Sequence, residues 1–202
     1  MPRRTTLAVV VVAVAAAVVA LVALAGGGGR GLAPEAATGQ VELVGSGVAV
    51  LPEAERPPLP AFSGRTLDGR TLDLASLRGR PLVLNFWASW CGPCRAEQRG
   101  LELASRTLAG RDVRVVGVNI RDDQGAAVSY LREFGVGYPS IFDRPALLSA
   151  RLGALGPQAP PYTLVVDAKG RVAARVFGAL PGGDPTRQAA LLTGLVEQVT
   201  ER

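Results

Sequence analysis

The stretch that decides the fold runs from residue 85 to residue 97 and reads NFWASWCGPCRAE. It holds Cys91 and Cys94, the only two cysteines of the chain, and the apolar run LVLNFWA leads into them. A continuous apolar run of this length predicts a strand that is buried on both faces of a sheet. The residues after Cys91 are compatible with a helix, and Pro93 suits a first helical turn. The two cysteines are therefore predicted to lie where a buried strand gives way to a helix.

The composition limits what these cysteines can do. The chain has 202 residues, of which 48% are hydrophobic, and this is enough for one ordinary domain plus extra sequence. It has no histidine, which excludes a His-based catalytic triad and a haem attached at a Cys-x-x-Cys-His motif. Two cysteines without histidine also exclude a closed four-ligand zinc site within one chain. We expect neither a metal nor a cofactor.

The charge pattern does not indicate a nucleic-acid partner. The formal net charge is +5, and the arginines that produce it are scattered along the chain. A nucleic-acid site would call for a basic patch with interleaved aromatic residues. We find no such segment and expect no binding to nucleic acid.

Residues 1–25 carry a membrane signal. Leu7 to Ala25 are uncharged and contain neither glycine nor proline, and as a helix they would be about 28 Å long, close to the ~30 Å hydrocarbon thickness of a bilayer. Arg3 and Arg4 predict that the chain after residue 25 lies outside the cytoplasm. We expect a single-pass signal anchor. The alternative is a signal peptide cut after Ala25, which gives a secreted protein.

Residues 26–58 are rich in glycine, alanine, proline and glutamate, and they predict a flexible linker. Within this linker, the segment 41–51 is apolar enough to form an isolated strand. No second domain fits in the remaining length. The folded domain is predicted to span residues 59–202.

The pattern after residue 59 predicts an α/β domain whose first strands are parallel and whose last two are antiparallel. Asp68-Gly69 predicts the turn of a hairpin over residues 62–74. Pro145 is expected in the first turn of a short helix, and Asp184 is expected to cap the last one. The other predicted elements are strands at 82–88, 113–120, 140–142, 162–166 and 171–177, and helices at 93–108, 124–134, 145–152 and 185–201.

The position of Cys91 at a helix start predicts reactivity. A helix N-terminus carries partial positive charge and free N–H groups, which stabilise a thiolate and lower the pKa of the first thiol of a Cys-x-x-Cys pair. We predict that Cys91 is the nucleophile and that Cys94, shielded one turn into the helix, is the resolving thiol. Pro93 stiffens the first turn, and Trp90 shapes the rim on which a partner rests. A structural disulfide and a metal site shared by two chains remain open as alternatives.

The same residues carry a resemblance. FWASWCGPCRAE resembles the active-site segment of the thioredoxin superfamily. The wider run DGRTLDLASLRGRPLVLNFWASWCGPCRAE resembles the membrane-anchored TlpA/ResA/CcmG-type thiol–disulfide oxidoreductases, and the similarity spans about residues 59–200. It implies a thioredoxin-like fold, with a central mixed sheet flanked by helices, an N-terminal hairpin and a helix–strand insertion between the second and third core strands.

The resemblance also implies further site residues. Pro161 falls where the family has a cis-proline that faces the disulfide and binds substrate, although an ordinary trans turn is the alternative. Pro160 before it has no N–H, so one usual backbone contact to a substrate cannot form. Asp122, with Asp123 as second choice, matches an acid that acts on the thiols, and a solvated loop is its alternative. Asn85 stands where cytoplasmic thioredoxins have a buried aspartate.

The resemblance implies an extracytoplasmic reductant. Such a protein takes electrons from a membrane donor and reduces disulfides of exported client proteins, and apocytochrome c is one client in the family, during cytochrome c maturation. The Gly-Pro pair between the cysteines favours this direction, because it resembles that of thioredoxin, whose potential is about −270 mV, more than that of the strongly oxidising DsbA, whose potential is about −120 mV. A disulfide-forming oxidant or isomerase, and a non-catalytic thioredoxin-fold adaptor, are the alternatives.

Overall fold

The apolar run before the cysteines forms an inner strand of a seven-stranded mixed sheet. The computed structural model describes residues 42–43 and 47–200. The strands are β1 (Glu42–Leu43), β2 (Val48–Val50), β3 (Ser63–Arg65), β4 (Thr71–Asp73), β5 (Leu82–Trp87), β6 (Arg114–Ile120), β7 (Ser140–Asp143), β8 (Tyr162–Val166) and β9 (Val172–Phe177). The order in the large sheet is β1-β2-β9-β8-β5-β6-β7, and β3 pairs with β4 separately. Strands β5, β6 and β7 are parallel, whereas β8 runs antiparallel to β5 and to β9.

Helices cover both faces of the sheet, and the cysteines follow the carboxyl end of the inner strand β5. The α-helices of the described residues are α1 (Gly92–Ala109), α2 (Gln124–Phe134), α3 (Leu147–Leu152) and α4 (Pro185–Thr200). Side chains alternate between faces along a strand. Val83 of β5 accordingly packs in one core with residues of α1 and α4, while Leu84 packs in another with residues of α3 and the β3–β4 hairpin.

The predicted thioredoxin-like fold is confirmed. The β3–β4 hairpin stands at the predicted place and turns at Asp68-Gly69. The segment between β6 and β8, which contains α2, β7 and α3, holds the predicted helix–strand insertion. The last helix begins at Pro185, where the Asp184 carboxylate accepts a hydrogen bond from the Arg187 N–H at 3.0 Å.

The predicted linker is wrong in its last part, because residues 47–58 belong to the folded domain. β2 pairs with β9 and is buried along its whole length. Arg56 is also buried, and its guanidinium bonds to the Asp167 carboxylate at 3.2 Å and to the Val199 carbonyl at 3.1 Å. The composition of this segment predicts a tether. Its few apolar residues instead form β2, which pairs with β9, a strand far along the chain. The predicted anchor, residues 1–25, lies outside the described residues, among which no helix is long and apolar enough to span a bilayer.

The position of Pro145 is a second correction. Helix α3 begins at Leu147, so Pro145 lies before it and not in its first turn. Ala146 adopts a left-handed conformation, with φ of 58°, which separates the proline from the helix. The Asp143 carboxylate accepts hydrogen bonds from the N–H groups of Leu147 and Leu148, both at 2.9 Å, and so caps α3 from the end of β7.

Candidate active site

Cys91 is the N-cap residue of α1. Its backbone is extended, with φ of −82° and ψ of 106°, and its Sγ accepts a hydrogen bond from the Cys94 N–H at 3.2 Å. Cys91 and Cys94 form a disulfide with a Cα–Cα distance of 5.3 Å. Pro93 lies in the first turn, where its missing N–H leaves no helical hydrogen bond unmade. The first cysteine therefore sits where N–H groups and the helix dipole favour a negative sulfur.

Both cysteines are nearly enclosed in the disulfide form. Cys91 is 3% exposed and Cys94 is 1% exposed. The predicted shielding of Cys94 agrees with this burial, but the difference between the two sulfur-bearing residues is smaller than the sequence suggested. Trp90, immediately before the pair, is 60% exposed, so it is the large apolar group that this site presents to solvent.

Trp90 is held at the rim by the loop after β6. Its indole Nε1–H donates to the Arg121 carbonyl at 3.0 Å. Arg121 adopts a left-handed conformation, with φ of 51°, and its guanidinium donates to the Gln158 carbonyl at 3.1 Å. The loop that carries the cysteines is thus connected, through Arg121, to the loop that precedes β8.

The peptide bond between Pro160 and Pro161 is cis, as the resemblance predicted. Tyr162, the first residue of β8, pairs with Phe86 near the end of the antiparallel strand β5. The start of β8 and the end of β5 therefore lie at the same edge of the sheet, and this brings Pro161 to the edge that carries the cysteines. Next to it, a groove of about 220 Å³ is lined by Pro161, Tyr162 and Phe177, and Phe177 is half exposed.

Asp122 is buried beneath the loop that carries the cysteines. Its carboxylate accepts hydrogen bonds from the Ser89 N–H at 2.5 Å, the Ser89 hydroxyl at 2.7 Å, the Asn119 side-chain amide at 2.8 Å and the Asp123 N–H at 2.8 Å. The solvated-loop alternative is therefore wrong for Asp122. Asp123 is exposed and instead caps α2 through the Ala126 N–H. An effect of Asp122 on the thiols stays a prediction.

Glu97 is a buried acid that the sequence reasoning missed. It lies three residues after Cys94 on the buried face of α1 and has no exposed surface. Its Oε1 accepts a hydrogen bond from the Asn85 side-chain amide at 3.0 Å, and its Oε2 accepts one from the Leu180 N–H at 2.6 Å. Burial raises the pKa of Glu97 to about 7, although both hydrogen bonds oppose that rise.

A signal for Glu97 was present in the sequence. The buried positions of α1 include 94, 97, 98, 101, 104 and 108, which is the spacing of one helix face. A glutamate on that face, one turn after Cys94, is out of place in an apolar stripe. Residues three apart on a helix are neighbours, so the spacing alone places Glu97 on the same side of α1 as Cys94.

Tyr130 fastens α2 to the first turn of α1. Its hydroxyl donates to the Cys94 carbonyl at 3.0 Å, and its ring stacks on Trp87 with 4.6 Å between ring centroids. Burial raises the pKa of Tyr130, so the phenol is neutral at ordinary pH. The segment around the cysteines is thus packed against a helix that comes from the insertion.

This fold, with a Cys-x-x-Cys disulfide at a helix N-terminus, defines a thioredoxin-superfamily protein with a thiol–disulfide centre. More narrowly, the chain belongs to the Redoxin family, whose model matches residues 54–191. The resemblance inferred from the sequence is therefore confirmed.

Curated relatives agree with this family. The chain is 40% identical to the thiol:disulfide interchange protein DsbE of Yersinia pestis over 127 residues, which cover 61% of this chain and 64% of that protein. It is 38% identical to the protein of the same name from Escherichia coli K12, covering 61% of this chain and 65% of that one. The chain thus spans just under two thirds of the length of these relatives.

Solved structures are similar over nearly their whole length. A DsbF homologue from Corynebacterium diphtheriae has a TM-score of 0.67 and 30% identity, covering 78% of this chain and 96% of that one. A thioredoxin-family thiol:disulfide interchange protein from Chlorobium tepidum has a TM-score of 0.63 and 31% identity, covering 73% and 99%. The described domain therefore matches these folds almost end to end.

Proposed function

We propose that the protein is an extracytoplasmic thiol–disulfide oxidoreductase that reduces disulfides of exported proteins through Cys91 and Cys94. The observation that carries the proposal is the position of Cys91 as the N-cap of α1, with its sulfur accepting the Cys94 N–H. A sulfur so placed is stabilised as a thiolate, which is the attacking form. The relatives named thiol:disulfide interchange proteins support the same class of reaction.

The reaction begins with the reduced pair. The Cys91 thiolate attacks one sulfur of a client disulfide, forms a mixed disulfide and releases the other client sulfur as a thiolate, which takes a proton from water. Cys94 then loses its proton and attacks the Cys91 sulfur. This step forms the Cys91–Cys94 disulfide and releases the second client thiol. Two electrons pass from the pair to the client, and the described disulfide is the oxidised product.

Glu97 is the group we propose to take the proton from Cys94. It is buried on the same side of α1, and its raised pKa of about 7 lets it hold or release a proton near neutral pH. A base is needed here, because a shielded thiol has no direct route for its proton to bulk water. Cys91 does not need such help, since the helix N-terminus stabilises its thiolate directly.

The client is proposed to bind along the edge formed by Trp90 and the cis-proline loop. Trp90 offers an exposed aromatic surface, and the groove beside Pro161 offers apolar walls. Pro160 has no N–H to donate, so an extended client segment would receive fewer backbone hydrogen bonds here. Apolar contacts would then carry more of the binding.

The cellular setting is also part of the proposal. The apolar segment 7–25 would anchor the chain, and the arginines before it would keep the redox domain outside the cytoplasm. A membrane protein that passes reducing equivalents would regenerate the Cys91–Cys94 dithiol. Exported proteins with disulfides, apocytochrome c in cytochrome c maturation among them, would be the clients. Release after cleavage near Ala25 is the alternative location.

The reduction potential of the Cys91–Cys94 pair tests the direction. The full-length chain in detergent would be equilibrated with thioredoxin of known potential, and its dithiol fraction measured by alkylation. We expect a value of about −270 mV, as in thioredoxin, whereas a value of about −120 mV would establish the oxidant alternative. Insulin reduction by the same sample separates either enzyme from a non-catalytic adaptor, which would reduce no insulin.

A further inference from the structure

Asn85 and Glu97 form a buried pair in which one polar atom has no hydrogen-bond partner among the described residues. The Asn85 Nδ2 group donates to Glu97 Oε1 at 3.0 Å and to the Thr163 hydroxyl at 3.0 Å. The Asn85 Oδ1 atom is buried, and no residue within the described ranges 42–43 and 47–200 donates a hydrogen bond to it. All three residues have no exposed surface. A buried acceptor without a donor lowers the stability of the fold. The question is in which state of the protein Asn85 Oδ1 accepts a hydrogen bond.

The donors and acceptors around Glu97 suit its charged form. A carboxylate only accepts hydrogen bonds, whereas a carboxylic acid must also donate one. In the part of the chain that the structure describes, the two groups that hydrogen-bond Glu97 are the Leu180 N–H and the Asn85 amide. The Leu180 N–H can only donate. Of these two partners, only Asn85 can therefore offer an acceptor to a protonated Glu97, through its Oδ1.

We propose that Asn85 is a positioning residue whose side-chain amide turns over when Glu97 gains a proton. In the turned state, the Glu97 O–H on Oε1 donates to Asn85 Oδ1, and the Leu180 N–H still donates to Oε2. The Thr163 hydroxyl, which accepts now, rotates and donates to the same Oδ1, because a hydroxyl can do either. Only a proton moves onto Glu97, and no electron is transferred.

This inference rests on the proposed role of Glu97 and deepens it. The proton that Glu97 takes is the one that the Cys94 thiol releases. Asn85 supplies a hydrogen-bond partner both before and after that transfer. One amide atom is left unpaired in each state, so the pair carries a similar penalty either way. Neither protonation state of Glu97 is then strongly locked by its neighbours.

The other groups near Glu97 do not compete for this role. The titratable groups that act on its charge from the elements packed against it are the phenols of Tyr130 on α2 and Tyr138 before β7, and Cys94 lies on its own helix. Burial raises the pKa of both phenols, so they stay neutral. The Tyr130 hydroxyl is occupied by the Cys94 carbonyl, and the Tyr138 hydroxyl accepts from the Gln98 amide.

The asparagine content of the chain makes the test direct. Asn85 and Asn119 are its only two asparagines, and Asn119 is a buried amide that donates to Asp122 instead. The oxidised full-length chain in detergent would be labelled with ¹⁵N in asparagine side chains and ¹³C in glutamate carboxyls. Its NMR spectra would then be recorded across the titration of Glu97, near pH 7.

We expect both Asn85 Nδ2 protons to move upfield as Glu97 is protonated, because both lose their acceptors. The pH midpoint of their shift change should coincide with that of the Glu97 carboxyl carbon. The Asn119 signals should not change with this midpoint. If the Asn85 protons keep their positions through the Glu97 titration, the amide does not turn over and the inference is overturned. No client or turnover is involved, so this outcome is independent of whether the protein is a reductant.

Glu97→Gln gives a second, pH-independent reading. Its new amide must accept from the Leu180 N–H and so presents its own N–H₂ to Asn85, which imitates the acid. We expect the Asn85 protons of this variant to stay at their low-pH positions at every pH. Glu102→Gln, on the same helix but away from Asn85, should leave the Asn85 titration unchanged. Asn85 signals at their high-pH positions in Glu97→Gln would contradict the turned amide, and the wild-type titration decides if the variant does not fold.

Discussion

The Asp122 carboxylate accepts hydrogen bonds from both the backbone N–H and the hydroxyl of Ser89, two residues before Cys91. It thereby ties the end of β6 to the loop that leads into α1. Because the two residues belong to different strand ends, this contact sets where the Cys91 loop lies on the sheet. Asp122 therefore has a structural task, and its effect on the thiols stays a prediction from the resemblance.

Asp122→Ala should lower the free energy of unfolding by about 3 kcal/mol, because it leaves the buried Asn119 amide and the partly buried N–H and hydroxyl of Ser89 without their acceptor. Asp123→Ala is the matched control, since it removes only a helix cap, which is worth about 1 kcal/mol. Urea unfolding of the oxidised chains measures both. Equal losses in the two variants would contradict the structural task of Asp122.

Asp122→Asn tests the effect on the thiols. It should lower the pH midpoint of Cys91 alkylation if the carboxylate acts on the thiols.

Cys94→Ser should trap clients on Cys91 as mixed disulfides, because no second thiol can attack the bond. Cys91→Ser should trap none and should abolish insulin reduction, since the remaining thiol lies deeper in the helix. Non-reducing gels of membranes that carry each variant, followed by mass spectrometry, make the comparison. Client adducts on the Cys91→Ser variant in place of Cys94→Ser would reverse the assigned roles.

Glu97→Gln should change how stability depends on pH. The pKa of Glu97 is raised from 4.5 to about 7 in the folded chain, so the folded state binds the proton more tightly and stability falls as pH rises from about 4.5 to 7. The penalty is complete above pH 7 and amounts to about 3 kcal/mol. We expect the variant to lack this fall and to be the more stable protein at pH 8 in thermal unfolding.

Glu102→Gln is the control for that measurement, because Glu102 lies on the same helix and bonds to Arg106 and the Gly137 N–H. It should keep the pH-dependent fall of the wild type. If Glu97→Gln keeps that fall as well, Glu97 does not titrate in this range.

In the reductase assay, Glu97→Gln should slow release of the client from Cys91 most strongly above pH 7, where wild-type Glu97 is a base.

Trp90→Ala should raise the KM for a protein client about tenfold, the effect of losing an exposed aromatic anchor. Reduction of a small disulfide such as cystamine should change little, because it does not reach along the rim. Leu103→Ala removes another exposed apolar side chain, 41% exposed on α1, and should leave both reactions unchanged. An unaltered KM for insulin in Trp90→Ala would place the client elsewhere.

Arg56→Ala should destabilise the domain by about 2 kcal/mol, because the Val199 and Leu51 carbonyls lose a buried donor, while the Asp167 carboxylate keeps its ion pair with Arg171. Arg70→Ala removes an exposed ion pair with Asp68 and should cost no more than about 1 kcal/mol. Urea unfolding compares the two. If Arg56→Ala lowers the free energy of unfolding as little as Arg70→Ala does, residues 47–58 act as a tether and do not stabilise the domain.

The local features of the site followed from the sequence. A buried strand, a cysteine at the start of a helix and a proline in its first turn each depend on residues within a few positions of one another. The same holds for the Asp68-Gly69 turn and the cap at Asp184. The resemblance supplied the cis bond before Pro161, which spacing alone would not have shown. Each of these appears in the structure at the predicted place.

Tertiary structure decided what lies beneath the cysteines. Glu97 meets the Leu180 N–H across 83 residues of chain, and Asn85 meets Thr163 across 78. Such pairs form only when the sheet order brings β5, β8 and the loop after β9 together. The same packing made β2, which lies in the predicted linker, a strand of the large sheet that pairs with β9. Local preferences act over a few residues, whereas burial, and the raised pKa of Glu97 with it, is a property of the whole assembled core.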